Sequence, residues 1–352
     1  MKDKKNKIII ISVIVAIVLI LVGILMFKIL QDRQEPVQEP VVEENVVQNE
    51  VVVEPVVEEK EIKIYKGDDR PYAVMIDNHS GAWPQAGLNK AYMVYEIIVE
   101  GGETRLMPVF KGVKLSEIGP VRSSRHYFLD YALENDAIYL HYGWSPQAKN
   151  DITKISVNNI NGMVYSKSQF WRVSTKAAPH NVLTSTSSIM SIAKNKGYKT
   201  TSKEESVLNY VADEVKLEDG TSAESVTIPY STLQKVQYKY DSKKGVYTRY
   251  ARGKLQKDYS TKESITTKNI IITFVENSSL NDGSGKGRQT IDNIGTFDGY
   301  YITNGKAIKI KCTKSSRSAK TVYRDLSGNE IEVNDGNTWV SICPKKAKVQ
   351  IK

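Results

Sequence analysis

The sequence predicts an N-terminal transmembrane helix, a disordered stalk, and an α+β part in which an α/β domain precedes a mainly β domain. Three observations predict this: an apolar run near the start, an acidic segment rich in proline and valine, and a change near residue 206 from alternating strands and helices to strands alone. The predicted divisions are a cytoplasmic tail, the helix, the stalk and the two domains, at residues 1–7, 8–30, 31–62, 63–205 and 206–352.

The apolar run covers twenty residues from Ile8 to Phe27, interrupted by one serine and one glycine. At the rise of an α-helix such a run spans about 30 Å, the thickness of the bilayer hydrocarbon. Four lysines precede it and an acidic segment follows, so the positive-inside rule places the N-terminus in the cytoplasm and the rest outside. A cleaved signal peptide is the competing interpretation. However, the run exceeds the usual h-region, and residues 27–30 offer no small-x-small cleavage site.

Residues 31–60 repeat variants of Pro-Val-Val-Glu-Glu and hold nine carboxylates against one arginine and one lysine. Prolines and like-charge repulsion prevent a packed core, so we expect an extended stalk with a reach of about 100 Å. A generic disordered linker would have the same reach.

The overall charge of +9 is unevenly distributed, because residues 1–30 carry +4 and residues 31–60 carry −7. The remainder therefore carries +12. Outside a cell, such a charge favours phosphate-rich wall polymers or lipid headgroups over nucleic acid as partners. Lysines dispersed for solubility would give the same total.

The sequence contains two cysteines, Cys312 and Cys343. In an exported domain we expect them to form one disulfide, whose loop of about thirty residues gives roughly 3 kcal/mol of stabilisation. Two buried thiols are the alternative. Neither cysteine lies just beyond the apolar run, where lipid attachment would require one.

Residues 63–205 alternate predicted strands with predicted helices, which is typical of an α/β domain with a parallel or mixed sheet. Apolar runs predict strands at Tyr72–Asp77, Tyr92–Val99, Arg105–Phe110 and Ala137–His141. Helical spacing, with a serine pair at residues 123–124 that can cap its start, predicts a helix at His126–Asn135. Two further helices are predicted at Pro146–Ile155 and Thr184–Asn195.

Beyond residue 206 the pattern indicates strands alone. A polar loop ending in glycine predicts a hairpin of Val236–Tyr240 with Val246–Ala251. Further strands are predicted at Ile270–Val275, Gly299–Thr303, Ala307–Cys312, Thr321–Arg324 and Thr338–Ile342. Asn304-Gly305 and Asp335-Gly336 are typical two-residue turn sequences.

Several phrases of this sequence resemble the YerB-like family, also called the DUF3048 family. In the first domain they are Arg70–Asn78, Val99–Arg105, Ile118–Arg125 and Ala178–Asn181. Gly299-Tyr300, Asn304–Lys306 and Asn337–Val340 resemble the family's C-terminal module. The resemblance implies an exported, membrane-attached protein and supplies no activity. Family members are often described as lipoproteins, whereas this sequence has an apolar helix and no lipidation cysteine.

The candidate site centres on the phrase at residues 119–125. If a helix begins near Ser123, its free amides, hydroxyls and two guanidinium groups would face one place and bind phosphate or carboxylate. The predicted anion-binding set is Arg122, Ser123, Ser124, Arg125, Asp77, Asn78, His180 and Asn181. The alternative is that the arginines pair with Asp77 or Glu100 and fix the edge of the sheet.

Catalytic and metal motifs fail when tested against the sequence. His79, His126, His141 and His180 share the first domain, but they lack HExxH or His-x-His spacing, so no metal or cofactor is predicted. Residues 143–147 lack the second glycine of a serine-nucleophile motif and place proline after the serine. No catalytic residue is therefore assigned.

The sequence thus favours a non-catalytic envelope protein that binds an anionic wall polymer or a membrane-protein partner. Trp83 and Trp144, in loops rich in Gly, Pro and Ser, can stack against sugars or pack in the core. The alternative function is an envelope hydrolase or transferase acting on glycan or phosphate-linked wall polymer. In that case Asp77, Glu100 or His180 would transfer the proton.

Overall fold

The computed structural model describes residues 19–28 and 60–352. Residues 19–28 are helical. Outside the described residues lie the predicted tail, residues 8–18 of the predicted transmembrane helix, and residues 29–59. Among the described helices none combines the length and the hydrophobicity needed to cross a membrane. Residues from Glu59 to Lys352 form a compact unit of their own.

That unit is built mainly from short strands. The strands are β1 (Tyr72–Val74), β2 (Ile76–Asp77), β3 (Met93–Ile98), β4 (Thr104–Phe110), β5 (Ile138–His141), β6 (Asn159–Asn161), β7 (Trp171–Arg172), β8 (Val182–Leu183), β9 (Tyr210–Val211), β10 (Thr221–Ser222), β11 (Ser225–Pro229), β12 (Lys235–Asp241), β13 (Val246–Ala251), β14 (Lys254–Leu255), β15 (Thr266–Thr267), β16 (Asn269–Ser279), β17 (Gln289–Asp292), β18 (Gly295–Thr303), β19 (Lys306–Lys314), β20 (Val322–Arg324), β21 (Val333–Asn334), β22 (Thr338–Pro344) and β23 (Gln350–Ile351). The α-helices are α1 (Phe128–Glu134), α2 (Pro146–Lys154) and α3 (Thr186–Asn195). Single 3-10 turns lie at Ser80–Ala82, Leu88–Lys90, Glu100–Gly102 and Gly162–Val164.

The three predicted helices are present, and serine caps two of them, whereas α1 has no side-chain cap. Ser145 accepts a hydrogen bond from Ala148 N at the start of α2, and Ser185 does the same for Ser188 N at the start of α3. The predicted strands are also confirmed. Val246–Ala251 matches β13 at both ends, and most others have at least one end shifted by one to four residues, because alternating apolar residues specify strands better than their boundaries. The first predicted strand is divided into β1 and β2.

A mixed sheet of thirteen strands dominates the unit, with the order β10-β19-β18-β16-β22-β3-β4-β1-β5-β6 and three further strands paired at its sides. At its centre β22 pairs in parallel with β3, with Val340 opposite Tyr95. This pair joins residues from both sides of the predicted division at residue 206, so both segments contribute to one sheet. A second sheet of six strands has the order β14-β13-β12-β11-β23 with β15 beside it.

Two apolar layers cover the two faces of the large sheet, because successive side chains of a strand point to opposite faces. On β3, Val94 belongs to the layer that includes apolar residues of the second sheet and α3. Met93, Tyr95 and Ile97 belong to the layer that includes apolar residues of α1. The large sheet is therefore the middle layer of the unit.

A buried ion pair joins the two sheets. Arg249 Nη2 on β13 lies 2.6 Å from Glu96 Oε2 on β3, and both side chains are fully buried. The Arg249 guanidinium also lies 4.3 Å from the Trp339 ring centre, and Thr104 Oγ1 donates to Glu96 Oε1 at 2.7 Å. Because an uncompensated buried charge is costly, this pair fixes how the two sheets pack.

The expected disulfide is wrong, because Cys312 and Cys343 are both free and buried. Cys312 on β19 is separated from Cys343 on β22 by β18 and β16, which places the two strands about 14 Å apart. The side chains also belong to opposite apolar layers. A disulfide requires Cα atoms within about 7 Å.

Candidate functional site

The site forms where an extended segment, residues 118–124, runs beside the end of β2. Asp77 N donates to Pro120 O at 2.9 Å, and Arg122 N donates to Met75 O at 2.8 Å. On the other side of the segment, Val121 N donates to Val182 O at 2.7 Å. These backbone bonds bring Arg122 and the loop that precedes β8 next to Asp77.

Asp77 is the centre of a small charged cluster. His180 Nδ1 lies 2.7 Å from Asp77 Oδ2, and Arg122 Nε lies 3.0 Å from the same oxygen in an ion pair without hydrogen-bond alignment. The His79 ring stacks on His180 with centroids 4.3 Å apart and 12° between planes. Because His180 Nδ1 faces the carboxylate, Nε2 is the ring nitrogen left for another group.

A cavity of about 390 Å³ opens beside this cluster. Its lining residues are Val121, Arg122, Ser123, Tyr142, Gly143, Trp144, Met163, Arg172 and Pro179. Arg172 Nη1 donates to Asn181 Oδ1 at 2.6 Å, and its guanidinium lies 5.7 Å from the Tyr142 ring centre.

The two arginines that line the cavity keep most of their hydrogen-bonding capacity. The Arg122 guanidinium makes no hydrogen bond to any residue between 60 and 352, and about a quarter of the side chain, 26%, is exposed. Arg172 uses one of its five N–H groups on Asn181. Both guanidinium groups can therefore donate to a ligand in the cavity.

Two further arginines brace the segment that carries Arg122. Arg125 Nε donates to Glu100 Oε2 at 2.9 Å, and Arg105 Nη2 lies 3.3 Å from Glu100 Oε1. Arg105 Nη1 also donates to Ser123 O at 2.7 Å. Burial raises the pKa of Glu100, but the hydrogen bond from Arg125 and the charges of both arginines outweigh burial and hold that pKa at about 2.

The region as a whole is positively charged. Its guanidinium groups belong to Arg105, Arg122, Arg125 and Arg172, and its carboxylates belong to Asp77 and Glu100. Burial and the charge of Arg125 lower the pKa of Arg105 to about 10, so this arginine stays protonated at neutral pH. With four guanidinium groups against two carboxylates, the cluster carries a net charge of +2.

The expected helix start at Ser123 is wrong, since α1 begins at Phe128. The backbone there is extended because Ser124 N donates to Gly143 O at 2.9 Å and Tyr142 N donates to Arg122 O at 2.9 Å. No helix N-terminus thus lies beside the two serines. The Ser124 side chain is buried and accepts from Tyr139 OH at 2.8 Å, whereas Ser123 lines the cavity.

The alternative pairing of the arginines with internal acids is confirmed, with Arg122 on Asp77 and Arg125 on Glu100. Asn78 is fully buried, where it donates to Thr104 Oγ1 and Glu96 Oε1 between the two sheets. Asn181 holds Arg172 and donates to two backbone carbonyls, at Val173 and Lys176. Of the predicted set, Arg122 and Ser123 line the cavity, and Asp77 and His180 form the charged cluster with Arg122. The side chains of the other four residues are engaged in hydrogen bonds within the fold.

Sequence reasoning missed Arg172, Tyr142 and Met163. Arg172 reaches the cavity through the pairing of β7 with β8, and each of these strands has two residues, too few to show an alternating pattern. Trp144, which was singled out as a loop tryptophan, does line the cavity. The proximity of Arg172 to Asn181 depends on tertiary pairing, and the sequence carries no local signal for it.

The histidines do not converge as a group. Burial lowers the pKa of His141 to about 4, against hydrogen bonds to Gly143 O and Asn159 that raise it. His126 Nε2 lies 3.1 Å from Thr290 Oγ1 instead. Across residues 19–28 and 60–352, no group of three or more His, Cys, Asp or Glu side chains is arranged to hold a metal ion.

Known protein families and a known relative match this chain along most of its length. Residues 57–199 match the N-terminal domain, and residues 226–340 the C-terminal domain, of the family described as "Protein of unknown function (DUF3048)". The chain is 31% identical over 285 residues to "Putative lipoprotein YerB" of Bacillus subtilis (strain 168), covering 80% of this chain and 81% of that protein.

A solved structure also supports the similarity to YerB. The crystal structure of YerB from Bacillus subtilis superimposes with a TM-score of 0.72 at 30% identity, covering 80% of this chain and 94% of that one. The resemblance expected from the sequence phrases is confirmed. The chain belongs to the YerB-like family of DUF3048 proteins.

Proposed function

We propose that this chain is a membrane-anchored extracytoplasmic protein that binds an anionic component of the cell envelope in the cavity lined by Arg122 and Arg172. One observation carries the proposal: both guanidinium groups line one cavity with donors that no described residue uses. Guanidinium groups match phosphate and carboxylate oxygens in both charge and geometry.

The location proposed for the chain has separate support. The name of the Bacillus subtilis relative describes it as a lipoprotein, and the covalent lipid of a lipoprotein attaches the protein to a membrane. In this chain the apolar run at residues 8–27, preceded by lysines, would provide the anchor instead. Both anchors place the compact unit on the outer side of the membrane.

The ligand proposed here is a phosphate-bearing wall polymer. The segment after residue 60 has a charge of +12, which attracts polyanions at long range. Inside the cavity, Ser123 adds a hydroxyl donor, and the net charge of +2 of the arginine cluster favours an anion. A membrane-protein partner would have to present carboxylates to use the same groups.

The test is the binding of residues 59–352 to isolated wall polymers at two salt concentrations. Arg122→Ala and Arg172→Ala should each weaken binding at least tenfold at low salt. Arg324→Ala is the matched control, since Arg324 is an exposed arginine outside the cavity. If both cavity variants bind as the wild type does, the arginine site is not the ligand site.

A second candidate function is an envelope hydrolase or transferase, and it rests on the Asp77–His180 pair. The 2.7 Å contact orients the imidazole and leaves Nε2 to accept a proton near the cavity. Product analysis of the same polymer samples tests it. Turnover that is lost in His180→Gln while binding persists would favour the enzyme.

A further inference from the structure

The mouth of the cavity is apolar and exposed. Met163 lines the cavity and is 61% exposed, and its neighbour Val164 is 74% exposed. Within residues 60–352, the large apolar side chains that are most exposed are Met163, Val164, Leu233, Leu255, Ile294 and Leu326. Among these six, Met163 and Val164 are the only neighbours in sequence, and Met163 lines the same cavity as the two arginines.

The turn that carries these two residues is firmly held, so their exposure is part of the fold. Asn161 Oδ1 accepts hydrogen bonds from Met163 N at 3.2 Å and from Gly143 N at 3.0 Å. A Cβ atom at Gly162 would lie 2.6 Å from the Phe170 ring, so the turn packs too closely there for any side chain. The turn therefore presents Met163 and Val164 to solvent in a defined position.

Apolar surface continues from this mouth into the cavity. Tyr142, Trp144 and Pro179 line the same cavity as Met163 and the two arginines. A soluble polyanion would use the arginines and leave this apolar surface exposed to water. A ligand with an anionic head and an apolar chain would use both parts.

We propose that the cavity takes a lipid-linked phosphate, with the phosphate on Arg122 and Arg172 and the first part of the hydrocarbon chain on Met163 and Val164. The proposal rests on the anion site proposed above and narrows its ligand from phosphate-bearing wall polymers in general to phosphates attached to a lipid. A ligand held in a membrane also suits a protein tethered to a membrane, because the tether keeps the two close together.

The experiment uses residues 59–352, which form a compact unit and correspond to the part covered by the crystal structure of the relative. The probes are dihexanoyl phosphatidic acid, below its micelle concentration, and glycerol 3-phosphate, which carries the same head without the acyl chains. The wild type should bind the lipid at least tenfold more tightly than glycerol 3-phosphate. Met163→Ser/Val164→Ser should reduce this ratio to about one.

The double variant should lower the affinity for the lipid at least tenfold more than the affinity for glycerol 3-phosphate, because the arginines stay in place. Leu233→Ser/Leu326→Ser is the matched control, since it removes two exposed apolar side chains outside this cavity. It should change neither affinity. Thermal unfolding of each variant checks that the fold is kept, and Val164→Ser alone, at the most exposed position, gives a second test.

The outcomes separate this inference from the proposed function. If both probes bind the wild type equally, or the double variant keeps the preference for the lipid, the lipid-linked ligand is excluded while the anion site stands. If Arg122→Ala binds both probes as the wild type does, the anion site fails as well. The proposal is supported if the preference for the lipid disappears in Met163→Ser/Val164→Ser and is kept in Leu233→Ser/Leu326→Ser.

Discussion

Arg249 and Arg122 both pair with a carboxylate, but their surroundings are opposite. Arg249 lies 2.6 Å from Glu96, fully buried between two sheets and against Trp339. Arg122 lies 3.0 Å from Asp77 at the wall of a cavity and is 26% exposed. The first arginine is committed to packing, whereas the second keeps donors for a ligand. An ion pair alone therefore does not distinguish a structural arginine from a binding arginine.

The largest effect should come from breaking the buried pair. Arg249→Ala leaves the Glu96 carboxylate without its cation in the interior, and we expect the free energy of unfolding to fall by about 3–5 kcal/mol. Equilibrium unfolding in guanidinium chloride measures it. Arg324→Ala, an exposed arginine, should change stability by less than about 0.5 kcal/mol. A loss below about 1 kcal/mol for Arg249→Ala would contradict the structural role.

His141 should make stability depend on pH. Its pKa is about 4 in the fold, mainly because of burial, against 6.5 as its ordinary value. A lowered folded pKa means that the unfolded chain binds the proton more readily, so stability is full above pH 6.5 and falls as pH drops towards 4. Protonation of His141 should lower the free energy of unfolding by up to about 3 kcal/mol. His141→Gln should show a smaller fall over the same range, measured by chemical unfolding.

Glu100 should make stability depend on pH in a more acidic range than His141 does. Its pKa is about 2 in the fold against 4.5 normally, so its stabilisation is full above pH 4.5 and is lost as pH falls towards 2. Allowing for partial exposure, we expect Glu100→Gln to cost about 2 kcal/mol at neutral pH. The difference between variant and wild type should disappear near pH 2. An unchanged difference across this range would show that Arg105 and Arg125 do not depend on the Glu100 charge.

The smallest effect on stability should come from the cavity itself. Within residues 60–352, Arg172 has no acidic partner, and its side chain makes one hydrogen bond, to Asn181. Arg172→Ala should therefore lower the free energy of unfolding by less than about 1 kcal/mol while it weakens anion binding. A large loss of stability would mean that Arg172 serves packing, as Arg249 does.

Much of the fold was predictable, because alternating apolar residues specify the strands of both halves. The three predicted helices likewise begin and end within two residues of α1, α2 and α3. The pairing of β22 with β3 was not predictable, since it joins residues about 245 positions apart and depends on tertiary contacts. Register between distant strands leaves no local pattern in a sequence.

The candidate site was predictable in part. The phrase at residues 119–125 did contain the key arginine, and Asp77 and His180 were named with it. The prediction of a helix at Ser123 failed because its neighbouring backbone groups are hydrogen-bonded to Met75 and to the loop after β5, contacts that hold the segment extended. Arg172 was missed because its place depends on a two-residue pairing far along the chain.

The most direct test of the central claim follows arginine side chains by NMR during a titration with glycerol 3-phosphate. Residues 59–352 carry ¹⁵N-labelled arginine, and spectra are recorded at slightly acidic pH, where exchange of the Nε–H is slow. The account predicts that the Arg122 and Arg172 side-chain resonances shift with ligand concentration while those of Arg249 and Arg125 stay in place. Shifts confined to other arginines, or no shift at Arg122 and Arg172, would contradict it.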